Sequence, residues 1–242
     1  VKTATSVVTI NKVGLNVTVT GNTDTLEYDG KNHSVEGMDV TITDSDGNKM
    51  DEGLVTTYNK SVTTDGATNT GTPEAHGMKA DKYLMGMKYT EGGADNTISF
   101  SWNGNYEIKN VTVTDGYLEI TKKPLELTAG SNTKTSDGSA LTEYSNTITG
   151  GTSLADSDEL TTVTYEGSQT AAGTSANKIT SVVINHRDGS ALTDVTDSYA
   201  LKFVDGTLTV NEASNNNNDG GTTIDDAATP LASVPAVLGA RR

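Results

Sequence analysis

Three histidines, His33, His76 and His186, are the only imidazoles in a chain of 242 residues. Each sits in a polar, turn-like stretch, and Gly-x-Ser-x-Gly, the strand-turn-helix signature that presents a serine nucleophile, does not occur. All three read as exposed loop residues. Paired carboxylates are the other resource for acid-base chemistry, and Asp156-Ser157-Asp158-Glu159 and Asp51-Glu52 could serve glycoside hydrolysis if a sugar cleft lay between them. One tryptophan, Trp102, and two phenylalanines offer little to line such a cleft, so both clusters read as solvated acidic turns. Catalysis demands a pocket with convergent polar groups, and none is indicated; the expectation is a protein that is not an enzyme.

Hard cations want clustered oxygen ligands, and Asp44, Asp46, Asn48 and Asp51 supply them in one short stretch. Against the calcium-loop pattern, however, Lys49 stands where the sixth-position glycine belongs and Val55 where the bidentate glutamate belongs. An acidic hairpin is the favoured reading, with calcium as the only cofactor entertained. The pair Asp137-Gly138-Ser139-Ala140-Leu141-Thr142 and Asp188-Gly189-Ser190-Ala191-Leu192-Thr193 reads as recurrent turn chemistry rather than twin ligand sites. There is no cysteine, which removes disulfides, thiolate metal sites and thiol nucleophiles together. A covalent alternative is an intramolecular Lys–Asn amide, for which Lys12, Asn110 and Glu119 have suitable strand-like surroundings, Glu119 as the proton shuttle. Lysine is seldom buried, so exposed side chains are the simpler expectation.

The elements that must position these groups are strands. Threonine is the commonest residue, stiff at its branched Cβ and at ease on a half-buried pleated surface. Apolar residues alternate at Leu15, Val17, Val19; Ile98, Phe100, Trp102; Leu118, Ile120; Leu125, Leu127; and Leu208, Val210. Between such runs stand Asp-Gly pairs, including Asp29-Gly30, Asp46-Gly47, Asp115-Gly116, Asp137-Gly138, Asp188-Gly189 and Asp205-Gly206, read as tight antiparallel hairpin turns. No segment sustains a helical apolar stripe. The nearest, residues 74–87, contains Gly77 and Gly86 and also fits a strand near Tyr83.

Two stretches end alike, Tyr106 through Asp115-Gly116 to Thr121 and Tyr199 through Asp205-Gly206 to Asn211, and this internal repeat divides the chain. The expected architecture is all-β: two tandem antiparallel β-sandwich modules of Ig-like shape, residues 12–121 and 122–211, with β-grasp-like modules as the alternative. Lys122-Lys123-Pro124 makes a short, stiff connector between them. Residues 1–11 read as the closing strand of a preceding module or an N-terminal edge strand. Residues 212–242, Asn/Gly-rich and then Ala/Pro-rich, read as a tail too poor in large apolar groups to fold alone. Either the N-terminal strand pairs with the first module, or the tail docks on another copy by strand exchange.

Tyr28-Asp29-Gly30-Lys31, the junction Thr121-Lys122-Lys123-Pro124-Leu125, Gly167-Ser168-Gln169-Thr170 and the closing Val204-Asp205-Gly206-Thr207-Leu208-Thr209-Val210 resemble the YDG/MBG-type repeats. Those repeats occur in large surface proteins and adhesin-like proteins of Gram-positive Firmicutes. The likeness covers residues 12–211, with Ser136 in place of the motif tyrosine in the second module. It implies an extracellular, cell-surface location and a role as stalk or spacer, with direct mucin or glycan binding as the alternative. Neighbouring repeat modules are then the natural partners. Nucleic acid and membrane surfaces are not, because a formal charge of −15 repels polyanions and no apolar run approaches the ~20 residues that span a bilayer.

Overall fold

The structure, a computed structural model, describes residues 6–50, 72–93, 96–100 and 104–213, together with the strand backbone of residues 56–61 and 68–70. Trp102, Asp51 and the tail beyond residue 213 lie outside the described residues. On the near side of Lys122 run β1 (Val13–Gly21), β2 (Thr23–Glu27), β3 (His33–Glu36), β4 (Met38–Asp44), β5 (Thr56–Ser61), β6 (Thr68–Thr70), β7 (Glu74–Gly77), β8 (Lys82–Leu84), β9 (Ile98–Phe100), β10 (Tyr106–Thr114) and β11 (Tyr117–Thr121). Beyond it run β12 (Lys123–Ala129), β13 (Asn132–Thr135), β14 (Asn146–Thr149), β15 (Asp158–Glu166), β16 (Gly173–Asp188), β17 (Ala191–Asp194), β18 (Tyr199–Val204) and β19 (Gly206–Asn211). A single 3-10 turn, Thr196–Ser198, is the one helical element among the described residues. The all-β sandwich expected from threonine and period-two alternation is what forms.

Each sheet takes its strands from one side of Lys122. In the first module β10-β1-β4 and β2-β11-β8 are the principal sheets, with β3 paired to β7 and β6-β5-β9 added; in the second they are β14-β12-β18 and β13-β19-β16-β15, with β17 on β16. The two modules repeat one plan. The opening strand (β1, β12) pairs antiparallel with an edge strand (β4, β14) and parallel with the penultimate strand (β10, β18). The chain then crosses to the other sheet, where its continuation (β2, β13) pairs parallel with the last strand (β11, β19).

Those parallel pairs correct the purely antiparallel expectation. The correction extends to Asp115-Gly116 and Asp205-Gly206, which join strands of different sheets and so close no hairpin. Here glycine serves close approach. A Cβ on Gly116 would stand 2.5 Å from the Asn22 carbonyl oxygen and 2.5 Å from Met85 Sδ, and one on Gly206 would strike the carbonyls of Ala129 and Gly130. At each of these points the opening and closing segments cross backbone to backbone. Asp188-Gly189, by contrast, is a true hairpin, pairing Asp188 with Ala191.

Alternation fills the interior. Leu15, Val17 and Val19 on β1, Leu118 and Ile120 on β11, and Leu125 and Leu127 on β12 are all buried. One apolar cluster runs from Leu15 through Tyr28 to Leu125, Ile184, Val195 and Tyr199, so the core continues across the connector.

Candidate functional site

The most concentrated polar chemistry among the described residues lies where the modules meet. Tyr28 follows β2, its N–H held by the Thr121 carbonyl at 2.9 Å, and its ring is fully buried against the second module. There it meets Tyr199, the first residue of β18, edge to face at 5.5 Å and 76°. Both hydroxyls donate to one oxygen of Asp158, at 2.9 Å from Tyr28 and 2.6 Å from Tyr199. His186 Nδ1 lies 2.7 Å from the other oxygen, its N–H donating, and the Ala155 N–H donates to the Tyr199 hydroxyl at 2.8 Å. The Asp158 side chain has no solvent exposure. Taking a carboxylate out of water costs several kcal/mol unless its lone pairs are satisfied, and here three donors from separate strands and loops satisfy them.

Burial, then the hydrogen bond to Asp158, pushes the Tyr28 phenol far above its usual value. Tyr199 moves the same way, burial first, although the Ala155 N–H opposes the shift. An Asp–His pair beside hydroxyls has the parts of a hydrolytic triad, but a nucleophile must give its proton to the imidazole. Here both hydroxyls point at the carboxylate instead. As placed, these bonds tie Tyr28 of the first module to Asp158 and Tyr199 of the second.

The rest of the Tyr-Asp-Gly-Lys stretch serves the same contact. Burial would raise the Asp29 carboxyl, yet the His33 ring at 2.8 Å and the Lys31 N–H at 3.0 Å hold it below the usual range. Gly30 adopts φ +81°, and a Cβ there would sit 2.5 Å from the Asp156 carbonyl of the second module. Lys31 pairs with Asp156 at 3.2 Å, an exposed contact of about 0–1 kcal/mol. Further bridges cross the boundary: Lys123 to Glu27 at 3.3 Å, Lys79 Nζ to the Asp194 carbonyl at 2.7 Å, and the Ala80 N–H to Ser198 Oγ at 3.1 Å.

Several sequence-level expectations change. Asp158 is sealed, not part of a solvated turn, and His186 is its partner with a side chain only 13% exposed, not a free loop histidine. Residue types alone could not show this, because Asp158, His186, Tyr199 and Tyr28 lie far apart in the chain. The signals the sequence holds are separate ones, Tyr28 in the Tyr-Asp-Gly-Lys stretch and Tyr199 at the start of the repeated closing segment, with nothing local to join them to Asp158.

The calcium stretch closes on itself. Asp44 Oδ1 accepts from the backbone N–H of Asp46 at 2.9 Å and of Asn48 at 2.8 Å, and Oδ2 accepts from Asn48 Nδ2 at 2.9 Å. Asn48, through its side chain and then its backbone, keeps the Asp44 carboxyl below the usual range. Among the described residues no group of three or more acidic or histidine side chains is placed to hold a metal. The crosslink trio is not assembled either. Lys12 is exposed ahead of β1, Asn110 on β10 donates to Asn16 at 2.7 Å, and Glu119 faces Lys82 at 3.9 Å in the opposite sheet. The N-terminal stretch does not add to the first module: residues 6–12 form no strand, and Val7, Val8 and Ile10 are 82–89% exposed.

Compared with known proteins, the chain matches no family model and no curated relative.

Proposed function

We propose that this chain is a non-catalytic spacer: two β-modules coupled into one stiff unit of a bacterial cell-surface, adhesin-like stalk of the YDG/MBG kind, working outside the cell and bonded to neighbouring modules rather than to a cofactor. The observation that carries the reading is the Tyr28–Asp158–Tyr199 contact. A flexible tether has no use for a carboxylate buried between modules, since every bending motion that parts Tyr28 from Asp158 leaves that group short of a donor. Acidity and a link of one residue, Lys122, between β11 and β12 suit the same role, Lys123 and Pro124 being already paired within β12. Small-angle scattering tests it: a spacer gives one fixed arrangement of the modules, and a profile that only a broad ensemble of inter-module angles can fit overturns the reading.

A second reading, direct glycan binding, is favoured by one feature. Tyr144 is 70% exposed and meets Tyr165 edge to face at 5.9 Å, while Asn146 Nδ2 donates to the Tyr165 hydroxyl at 2.6 Å. An aromatic face with a fixed amide beside it is a platform a sugar ring can stack on. Glycan-array binding by the intact chain that disappears in Tyr144→Ala would replace the spacer by a binder.

A further inference from the structure

The two modules share a register. Val13 opens β1 opposite Tyr106, as Lys123 opens β12 opposite Tyr199, and Leu15 and Leu125 are the first buried residues of the two strands. Counting back by the same spacing sets residues 7–11 where β11 stands before Lys122, with Val8 in the place of Leu118 and Ile10 in the place of Ile120. Closing strands bury those positions in both modules: Leu118 is 0% exposed and Ile120 3%, Leu208 0% and Val210 2%. Val8 is 82% exposed and Ile10 87%. The same register makes Tyr106, half-buried beside the 41% exposed Val13, the counterpart of the Tyr199 on which Tyr28 rests.

We infer that residues 7–11 are a closing strand offered to a further β-module of this topology that supplies no closing strand of its own. That module would pair its β2-type strand parallel to 7–11, cover Val8 and Ile10 with its core, and set its loop after the β2-type strand against Tyr106. The occupant follows from continuity with the junction seen inside the chain, where β11 completes one module and leads through a single residue into the next. A second copy of this chain is a poorer fit, since each of its modules already holds its closing strand, β11 or β19. The inference rests on register and exposure and stands apart from the spacer reading.

The test joins a second copy of residues 12–116 directly ahead of Val7 in the full chain, so that 7–11 falls where 117–121 follows 116. In the unjoined chain amides 7–11 exchange at the rate of free peptide; in the joined protein they slow at least a hundredfold, as paired strands do. Val8→Asp then unfolds the added module and leaves the resident ones intact, whereas in the unjoined chain the same change leaves the melting temperature where it was. Unprotected amides in the joined protein, or an added module that stays folded with Val8→Asp and Ile10→Asp together, overturns the inference. So does an added module that never folds. Protection that grows with concentration in the unjoined chain would assign the strand to a second copy instead.

Discussion

Asp158 accepts hydrogen bonds from two phenols and an imidazole while wholly shielded from water. The sensitive part of such a group is any one of its donors, because removing a partner leaves a buried acceptor unsatisfied. Tyr28→Phe keeps the ring and its edge-to-face contact but drops one donor, and it should cost about 1.5–3 kcal/mol in urea unfolding, the range for hydrogen bonds to charged groups. Tyr28→Ala also empties the ring's space and should cost about 3–5 kcal/mol. If the two substitutions prove equal, the hydroxyl carries the contact and ring packing adds nothing. The raised phenols also make the junction sensitive to alkali. A tyrosine whose folded-state pKa lies above its ordinary 10.0 stabilises the fold fully below that pH and progressively less as pH rises beyond it. Urea midpoints should therefore hold steady up to about pH 9.5 and fall by pH 11, with the fall blunted in the Tyr28→Phe, Tyr199→Phe double variant. Tyrosine absorbance followed in parallel should show these two phenols ionising only with unfolding.

At the scale of elements, the repeated crossover decides which glycines matter. Gly116 and Gly206 sit where backbones of two sheets touch, and a methyl group there must displace peptide groups rather than a flexible side-chain tip. Gly47, with φ +83°, has open space around its Cβ direction. Gly116→Ala and Gly206→Ala should each cost about 3 kcal/mol or more by overpacking, against about 1–2 kcal/mol of backbone strain for Gly47→Ala. Thermal melts of the three variants rank them directly, and the reverse order would mean that turn conformation, not crossover spacing, limits the fold. The loop after β4 gives a second element-level expectation. Both oxygens of Asp44 already accept from their own loop, so millimolar calcium should leave the melting temperature unchanged, while Asp44→Ala should lower it with or without the ion.

For the whole molecule, the consequence of a core that runs from Leu15 to Tyr199 is cooperativity. Modules that shared only the Lys122 connector would melt independently. A shared apolar cluster with a buried polar fastening at its centre should make calorimetric and van't Hoff enthalpies agree for the two together. Asp158→Ala, which strips the fastening without touching either sheet crossover, should split that transition into two. The second module does not repeat the device at its far end. Ser136, whose N–H bonds the Asn211 carbonyl at 2.8 Å as Tyr28 bonds Thr121, has no ring to insert into a neighbour.

Strand composition and the burial of Leu15, Val17, Val19, Leu118 and Leu127 were legible in the chain itself, because period-two alternation encodes which face of a strand leaves water and needs no partner to be specified. So was the repeat, and with it the equivalence of Tyr106 and Tyr199. Parallel pairing was not legible: a strand that alternates apolar and polar residues reads the same beside a parallel or an antiparallel neighbour, and Asp-Gly serves a crossover as readily as a hairpin. Nor was the junction. Asp158 in an acidic, serine-rich stretch has the composition of a solvated turn, and what buries it is the approach of Tyr28 from 130 residues away and His186 from 28. Local sequence sets the faces of strands; which faces meet, and which polar groups are trapped where they do, is decided only when distant segments close on one another.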